Sequence, residues 1–345
     1  MDSFLFTINA VFPIILCIAI GYFIKRINLF PESFGVLLNK LSFRVLLPVL
    51  LFKNIYDIKD IRALGNYWQA ILFSVGVILA FFIIGFIIVK FFIKDDRQKG
   101  VILQCIFRSN FAIIGIGLIE LLVVNLSGEQ VILARGIGAV LSAVTIPLFN
   151  VLAIISLSIF VKTEEKKVSP KDILIKICKN PLIIAVALGL IVISLRLLIP
   201  VDADSNPVFT LRYFAQYGTN DTFIYTTIKY LAQAASPVAL IALGLGFSFS
   251  AIGRLKYKII LGTTLRVIAV PVIALLFAWI FKFDKLYFPA FIALFGTPTA
   301  VSSVPMAQEM DNDTELAGQL VVWTTISSSI TLFIIILVSS SIGLL

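Results

Sequence analysis

Residues 296–309 read Gly-Thr-Pro-Thr-Ala-Val-Ser-Ser-Val-Pro-Met-Ala-Gln-Glu and lie within a largely apolar stretch at 286–308. A stretch of roughly 20 apolar residues is long enough to cross a bilayer as a helix. Pro298 and Pro305, seven apart, remove two backbone donors and leave carbonyls exposed. Thr297, Thr299, Ser302, Ser303 and Gln308 stand close by, the densest polar cluster in any apolar stretch of the chain. Within lipid, irregular backbone is tolerated only against protein or a water-filled cavity. The stretch therefore predicts a broken helix that faces the inside of a helical bundle.

The rest of the chain agrees with a bundle in lipid. Of 345 residues, 60% are hydrophobic, and the mean hydropathy is +1.06. Soluble domains are about 45–50% apolar, and a chain this apolar lacks the polar groups to cover its own surface. Ile71–Val89 is apolar on every face, without the alternation of a membrane β-barrel. The fold class is an all-α polytopic membrane protein. Ten spans are read at 4–24, 33–55, 67–92, 101–124, 129–161, 172–199, 229–250, 255–281, 286–308 and 314–343.

The net charge of +9 sits between these spans rather than in a basic stripe, which argues against a nucleic-acid partner. With the N-terminus outside, fifteen Lys and Arg fall on the cytoplasmic side and eight outside. The positive-inside rule favours that orientation, with both termini outside a cell (inner) membrane. Asp2 precedes the first span and Lys25-Arg26 follow it, the reverse of a signal peptide's charge order. Cys17, Cys105 and Cys178 show no paired spacing and read as small buried hydrophobes. There is no histidine, so the commonest metal ligand and general base is missing. Neither a metal site, a cofactor nor an enzyme is expected.

The two halves of the chain resemble each other. Pro13 and Gly21 are eight apart in span one, as are Pro181 and Gly189 in span six. Lys40 precedes Pro48-Val49 by eight residues, as Lys229 precedes Pro237-Val238. Ile146-Pro147-Leu148-Phe149 in span five parallels Ile330-Thr331-Leu332-Phe333 in span ten. Residues 1–161 then form a first five-helix repeat, 162–171 a cytoplasmic connection, and 172–345 a second repeat. Five is odd, so the second repeat enters the membrane from the opposite side. Inverted repeats with a site near the midplane are a recurrent construction of secondary transporters.

Span four is the repeat partner of span nine and contains Arg108-Ser109-Asn110 followed by Gly115 and Gly117. Two interrupted helices in corresponding positions point to a binding site. Asn110, Ser302 and Ser303 are read as cavity donors, with Ser109 and Thr299 beside them and Pro298 shaping the backbone. Gly115 and Gly117 fit a cavity or close helix packing equally well. Intramembrane charges default to function. Snorkelling to an interface is the reading for Arg44 and Arg266, whereas Arg108, Arg135 and Lys40 fit either role. Glu120 and Glu309 read as solvated caps or ion ligands. The intramembrane excess is cationic, which favours an anionic substrate.

At these residues the sequence resembles the auxin efflux carrier family, in particular its bacterial malate and malonate permease-like branch. The resemblance covers essentially the whole chain. It is carried by Leu47-Pro48-Val49-Leu50-Leu51-Phe52, Ser109-Asn110 through Gly115, and Pro298-Thr299-Ala300-Val301-Ser302-Ser303 with Met306-Ala307-Gln308-Glu309. Asp313-Thr314-Glu315-Leu316-Ala317 and Thr324-Thr325 continue it. It implies ten transmembrane helices in two inverted five-helix repeats, with broken helices four and nine crossing at the substrate site, a fold similar to bile-acid symporters and sodium/proton antiporters. It also implies a scaffold of helices one, two, six and seven, an elevator-like transport domain and a homodimer. Plant relatives carry a proline where this chain has Gly117, so their hormone is not inherited as substrate. By analogy with sodium-coupled relatives, Asn110, Gln308 and Glu309 would ligate a sodium ion.

The expectation is a carrier for a small carboxylate such as malate, malonate or an auxin-like acid, embedded in the lipid bilayer and coupled to a sodium ion or a proton. Asn110, Ser109, Ser302, Ser303 and Thr299 would meet the carboxylate, and Arg108 or Arg135 would supply charge. Pro298 and Gly115 would shape the backbone, with Gln308 and Glu309 on the coupling ion. The rivals are a cation antiporter on the same fold, a membrane-embedded enzyme and a channel.

Overall fold

The computed structural model describes residues 2–57, 65, 67–123, 126, 128–161, 175, 178–196, 198–199 and 222–345, the side chains of residues 2–11 and Arg196 aside. The expected connection at 162–171 and residues 200–221 lie outside the described residues.

Among the described residues the regular secondary structure is all helical. Helix α1 spans Asp2–Arg26, α2 Phe34–Tyr56 and α3 Trp68–Phe92. Two shorter helices follow, α4 at Asp96–Phe107 and α5 at Phe111–Leu122. Then come α6 at Glu129–Ser158, α7 at Pro181–Arg196, α8 at Phe223–Gly246 and α9 at Ser250–Ile280. A second short pair, α10 at Phe288–Gly296 and α11 at Ser303–Glu309, precedes α12 at Thr314–Ser341. Among the described residues, six helices (α2, α3, α6, α8, α9 and α12) are long and apolar enough to cross a membrane.

Local chemistry sets several boundaries. Asp95, Thr222 and Asp313 cap the N-termini of α4, α8 and α12, accepting from the amides of Arg97, Tyr225 and Leu316 at 2.9, 3.2 and 2.8 Å. Such caps satisfy donors that have no intrahelical partner. The Thr222 cap starts α8 six residues before the expected 229. In α2 and α9 a π-helical turn, at Ser42–Leu46 and Leu265–Ala269, comes just before Pro48 and Pro271. Each proline lacks the N–H for the carbonyl four residues earlier, and that carbonyl falls inside the wider turn.

The helices sort into two packed groups. In one, α1 lies against α8 and α2 against α7 and α8. In the other, α3 to α6 and α9 to α12 pack together. The α1–α8 contact is backbone on backbone: a Cβ on Gly21 would sit 2.2 Å from the Ile241 carbonyl oxygen, and one on Gly244 2.1 Å from that of Ile18. The α2–α7 contact sets Gly189 against the Ile55 side chain. The core of the second group is α10, whose nine residues are all buried.

Cysteine placement corrects one expectation. Cys105 is buried and Cys17 half-buried, but Cys178 is exposed, just ahead of α7 where the chain is no longer enclosed.

Candidate functional site

Two helix breaks meet at the centre of the second group. The chain leaves α4 at Arg108 in an extended conformation and re-enters helix after Asn110. It leaves α10 at Thr297, also extended, and re-enters helix at Ser303. Ser109 and Thr299 form an antiparallel bridge, and the Asn110 amide donates to the Pro298 carbonyl at 2.7 Å. Pro298 lies in the break, where its missing donor costs no helix bond. Pro305 lies in the first turn of α11, where an N–H would have no intrahelical partner anyway.

A helix that ends inside protein leaves carbonyls to be satisfied, and several have a named donor here. The Cys105 carbonyl accepts from Thr299 Oγ1 at 3.0 Å, and the Ala293 carbonyl from Thr297 Oγ1 at 3.0 Å. Arg266 Nη1 donates to the Ile106 carbonyl at 3.1 Å. Its Nη2 donates to Phe295 at 2.9 Å and Thr297 at 2.8 Å, and its Nε to Thr297 at 3.0 Å. Arg266 is fully buried, which corrects the snorkelling expectation. It sits mid-way along α9, too deep to reach an interface, and backbone carbonyls take the place of water.

Beside the crossing lies a small cavity of about 50 Å³. It is lined by Arg108, Ser109, Asn110 and Ser302, by Asn54 from α2, Asn150 from α6 and Ser236 from α8, and otherwise by apolar side chains. Arg108 is buried, and its Nη2 donates to Asn150 Oδ1 at 2.7 Å and Ser302 Oγ at 2.8 Å. Its Nη1 meets Gln104 Oε1 at 3.2 Å and Met306 Sδ at 2.8 Å. All of these partners are neutral, and among the described residues no acid lines the cavity. Among the described residues, Ser109 Oγ, Asn110 Nδ2 and Asn54 Nδ2 are buried without a hydrogen-bond partner. Leaving such a group unpaired costs roughly 1–3 kcal/mol, and these three belong to residues that line one cavity.

Of the residues singled out in the sequence, Arg108, Ser109, Asn110 and Ser302 line the cavity. Pro298 and Thr299 stand behind it, in the crossing itself. Ser303 is buried in the first turn of α11 with its hydroxyl unpartnered. Gly115 packs the crossing: a Cβ there would come within 3.1 Å of the Ala293 carbonyl oxygen and closer still to the Phe111 ring. Arg135 is not brought to the cavity. It pairs with Glu120 at 2.6 Å, both about half exposed, because the part of α6 that lines the cavity is Ile146–Asn150, three turns further on.

Gln308 and Glu309 also lie away from the cavity. At the end of α11, Gln308 Oε1 accepts from Asn39 Nδ2 at 2.9 Å, and Glu309 pairs with Arg44 at 3.0 Å. Sequence reasoning missed Asn54, Asn150 and Ser236. Asn150 carried a usable signal, an amide one residue after the repeated Ile146–Phe149 segment. Asn54 and Ser236 carried none beyond their proximity to Pro48 and Pro237.

A polytopic helical membrane protein with a small cavity beside two crossed, broken helices has the build of a membrane transporter. The comparisons bear this out. Residues 6–336 match the model of the membrane transport protein family, and the chain belongs to that family, the one that holds the auxin efflux carriers. It is a family of transporters rather than enzymes. No curated protein matches the chain.

Proposed function

We propose that this protein is a secondary transporter that moves a small organic anion, a carboxylate, across a cell membrane by alternating access. The observation that carries this reading is the electrostatics of the cavity. Arg108 brings a buried positive charge whose partners are all neutral, and the spare donors of Asn110, Asn54 and Ser109 surround it. A carboxylate offers about four lone-pair sites to such donors, and charge-assisted bonds of this kind are the strong ones. Among the described residues a cation would find no acid there, which disfavours the antiporter reading.

Ten spans in two inverted repeats are part of the proposal, with α4–α5 as span four and α10–α11 as span nine. The packing supports it. A two-fold axis that exchanges the halves turns the α1–α8 pair into the α7–α2 pair, and both pairs are in contact. Gly21 and Gly189 are equivalent by their spacing from Pro13 and Pro181, and Gly244 and Ile55 by their spacing from Pro237 and Pro48. Gly21 touches Gly244, and Gly189 touches Ile55.

The division into two helix groups supports elevator-like movement, with α1, α2, α7 and α8 as the fixed scaffold and a homodimer formed through it. A cavity of about 50 Å³ holds little more than a few waters, so loading requires its walls to part. Breaking Asn39–Gln308 and Arg44–Glu309 at the end of α11 would open one side. Both termini lie outside in this reading.

The test is uptake of labelled mono- and dicarboxylates, indole-3-acetate included, into proteoliposomes holding wild type or Asn110→Ala. The Asn110 side chain makes no bond that holds the crossing; its backbone does. Saturable uptake of one anion, with affinity reduced at least tenfold in the variant, is expected. Unchanged affinity would remove the site assignment, and absence of carboxylate uptake by folded protein would sink the reading.

A further inference from the structure

Between the ends of α1 and α8 and the start of α9 lies an open pocket of about 710 Å³, in the size range of ligand sites. Its polar walls are Tyr22, Lys25 and Arg26 from α1, Glu32 from the turn beyond, and Ser248 and Ser250 around the start of α9. Asn28, at φ +50°, reverses the chain after α1 and so brings Glu32 to the same pocket. Lys25 Nζ donates to the Phe247 carbonyl at 3.1 Å. Arg26 Nε donates to the Tyr22 hydroxyl at 2.7 Å, with its guanidinium carbon 5.2 Å from the centre of that ring. Both cations are exposed, and among the described residues neither they nor Glu32 enter an ion pair. Most of their N–H groups are unspent.

We propose that this pocket holds the phosphoethanolamine headgroup of a membrane phospholipid, with the phosphate on Lys25 and Arg26 and the ammonium on Glu32. Basic pockets between membrane helices suit lipid headgroups, and a guanidinium fork matches phosphate oxygens. A wholly anionic headgroup would satisfy the two cations and leave Glu32 facing a like charge. A choline headgroup would offer Glu32 a quaternary nitrogen with no N–H. A primary ammonium meets it with both charge and donors. The apolar face of α1 points to a lipid rather than to a free phosphate ester. Phe12, Leu16, Ile20 and Phe23 are exposed along that helix at steps of four, four and three residues, so they share one ridge. Arg26 is the next step on it, and an acyl chain lying on the ridge ends with its phosphate at the pocket. Walls from α1 and α8 in one helix group and from α9 in the other make the headgroup a bridge between the two groups. The proposal uses neither the small cavity nor the carrier reading.

Native mass spectrometry of the delipidated full chain reads occupancy directly. It is titrated with phosphatidylethanolamine, phosphatidylcholine or phosphatidylglycerol carrying the same acyl chains. Wild type is expected to retain phosphatidylethanolamine about fivefold more tightly than the other two, the worth of roughly 1 kcal/mol for one charge at a membrane surface. Arg26→Ala is expected to weaken retention of all three. Glu32→Gln is expected to remove the preference, with phosphatidylethanolamine falling and phosphatidylglycerol unchanged or rising. The Glu32 side chain bonds nothing among the described residues, so this variant keeps its fold.

Equal retention of the three lipids by wild type would overturn the proposal, as would a preference for phosphatidylglycerol or phosphatidylcholine. A Glu32→Gln protein that still favoured phosphatidylethanolamine would reject the contact with the ammonium. Soluble phosphoethanolamine at the lipid's concentration is expected to leave the lipid in place. Displacement by it would reject the lipid as the source of the headgroup. Should Arg26→Ala not fold, the wild-type ranking and Glu32→Gln decide between them.

Discussion

The amide of Asn110 donates to the carbonyl of Pro298 at 2.7 Å, so two interrupted helices far apart in sequence are joined backbone to backbone. The Asn110 carbonyl in turn accepts from the amides of Ile113, Ile114 and Gly115 and so starts α5. One residue thereby fixes the crossing and the first turn beyond it through its main chain. Its side-chain amide is left free to face the cavity.

Asn54 enters the cavity from α2, in the helix group opposite the crossing. Asn54→Ala removes one spare donor and is expected to weaken substrate binding several-fold, in line with about 1 kcal/mol for a typical hydrogen bond. Asn54→Asp places a carboxylate beside Arg108 and is expected to abolish anion uptake. Equal activity of the two variants in a proteoliposome assay would contradict the placement of Asn54 at the substrate.

Arg135 pairs with Glu120 where both are about half exposed. Exposed ion pairs contribute about 0–1 kcal/mol. Arg135→Ala is expected to leave substrate affinity within twofold of wild type. A tenfold loss in a binding titration would return Arg135 to the site.

Glycine substitutions should separate close contact from open space. Gly244→Ala drives a Cβ against the Ile18 carbonyl, and backbone cannot give way as a flexible side chain can. Loss of folded protein, or a clear drop in detergent melting temperature, is expected. Gly117 has nothing within 4 Å of a built Cβ, and alanine favours a helix interior by about 1 kcal/mol. Gly117→Ala is therefore expected to be neutral or stabilising, and a melting comparison that ranked the two variants the other way would refute the packing described.

The contacts at the end of α11 join it to α2. Arg44 is largely exposed while Glu309 is mostly covered. Glu309→Gln is expected to change the transport rate while leaving substrate affinity within twofold, and the exchange Arg44→Glu with Glu309→Arg should recover part of the rate. A shift in affinity alone would place Glu309 on the substrate or ion instead.

The helix breaks were legible in the sequence for a physical reason. Pro298 and the polar cluster at 297–303 cannot continue an apolar membrane helix, and Arg108-Ser109-Asn110 repeats the anomaly in span four. Gly21 and Gly189 were legible as glycines at matched spacing from a proline, and both lie at close helix contacts. Arg266 was legible only as a charge in an apolar run. Which way it points depends on helix rotation and on carbonyls supplied by Ile106 and Phe295, both remote in sequence. Arg135 was misplaced for the complementary reason: depth along a helix was inferred, but the cavity occupies a level three turns away on α6. Asn54 stands beside Lys53 near a helix end, where an amide gives no sign that it faces inward.

The contact of Gly21 with Gly244 also furnishes a ruler. With main chain resting on main chain, no layer of side chains remains between α1 and α8 to compress or slide, and their spacing becomes a constant of the molecule. Paramagnetic or fluorescent labels on the outward faces of those two helices would give an internal standard length. Distances measured from that standard to a label on α11 would then report travel of the crossing itself, free of any drift in the surrounding micelle.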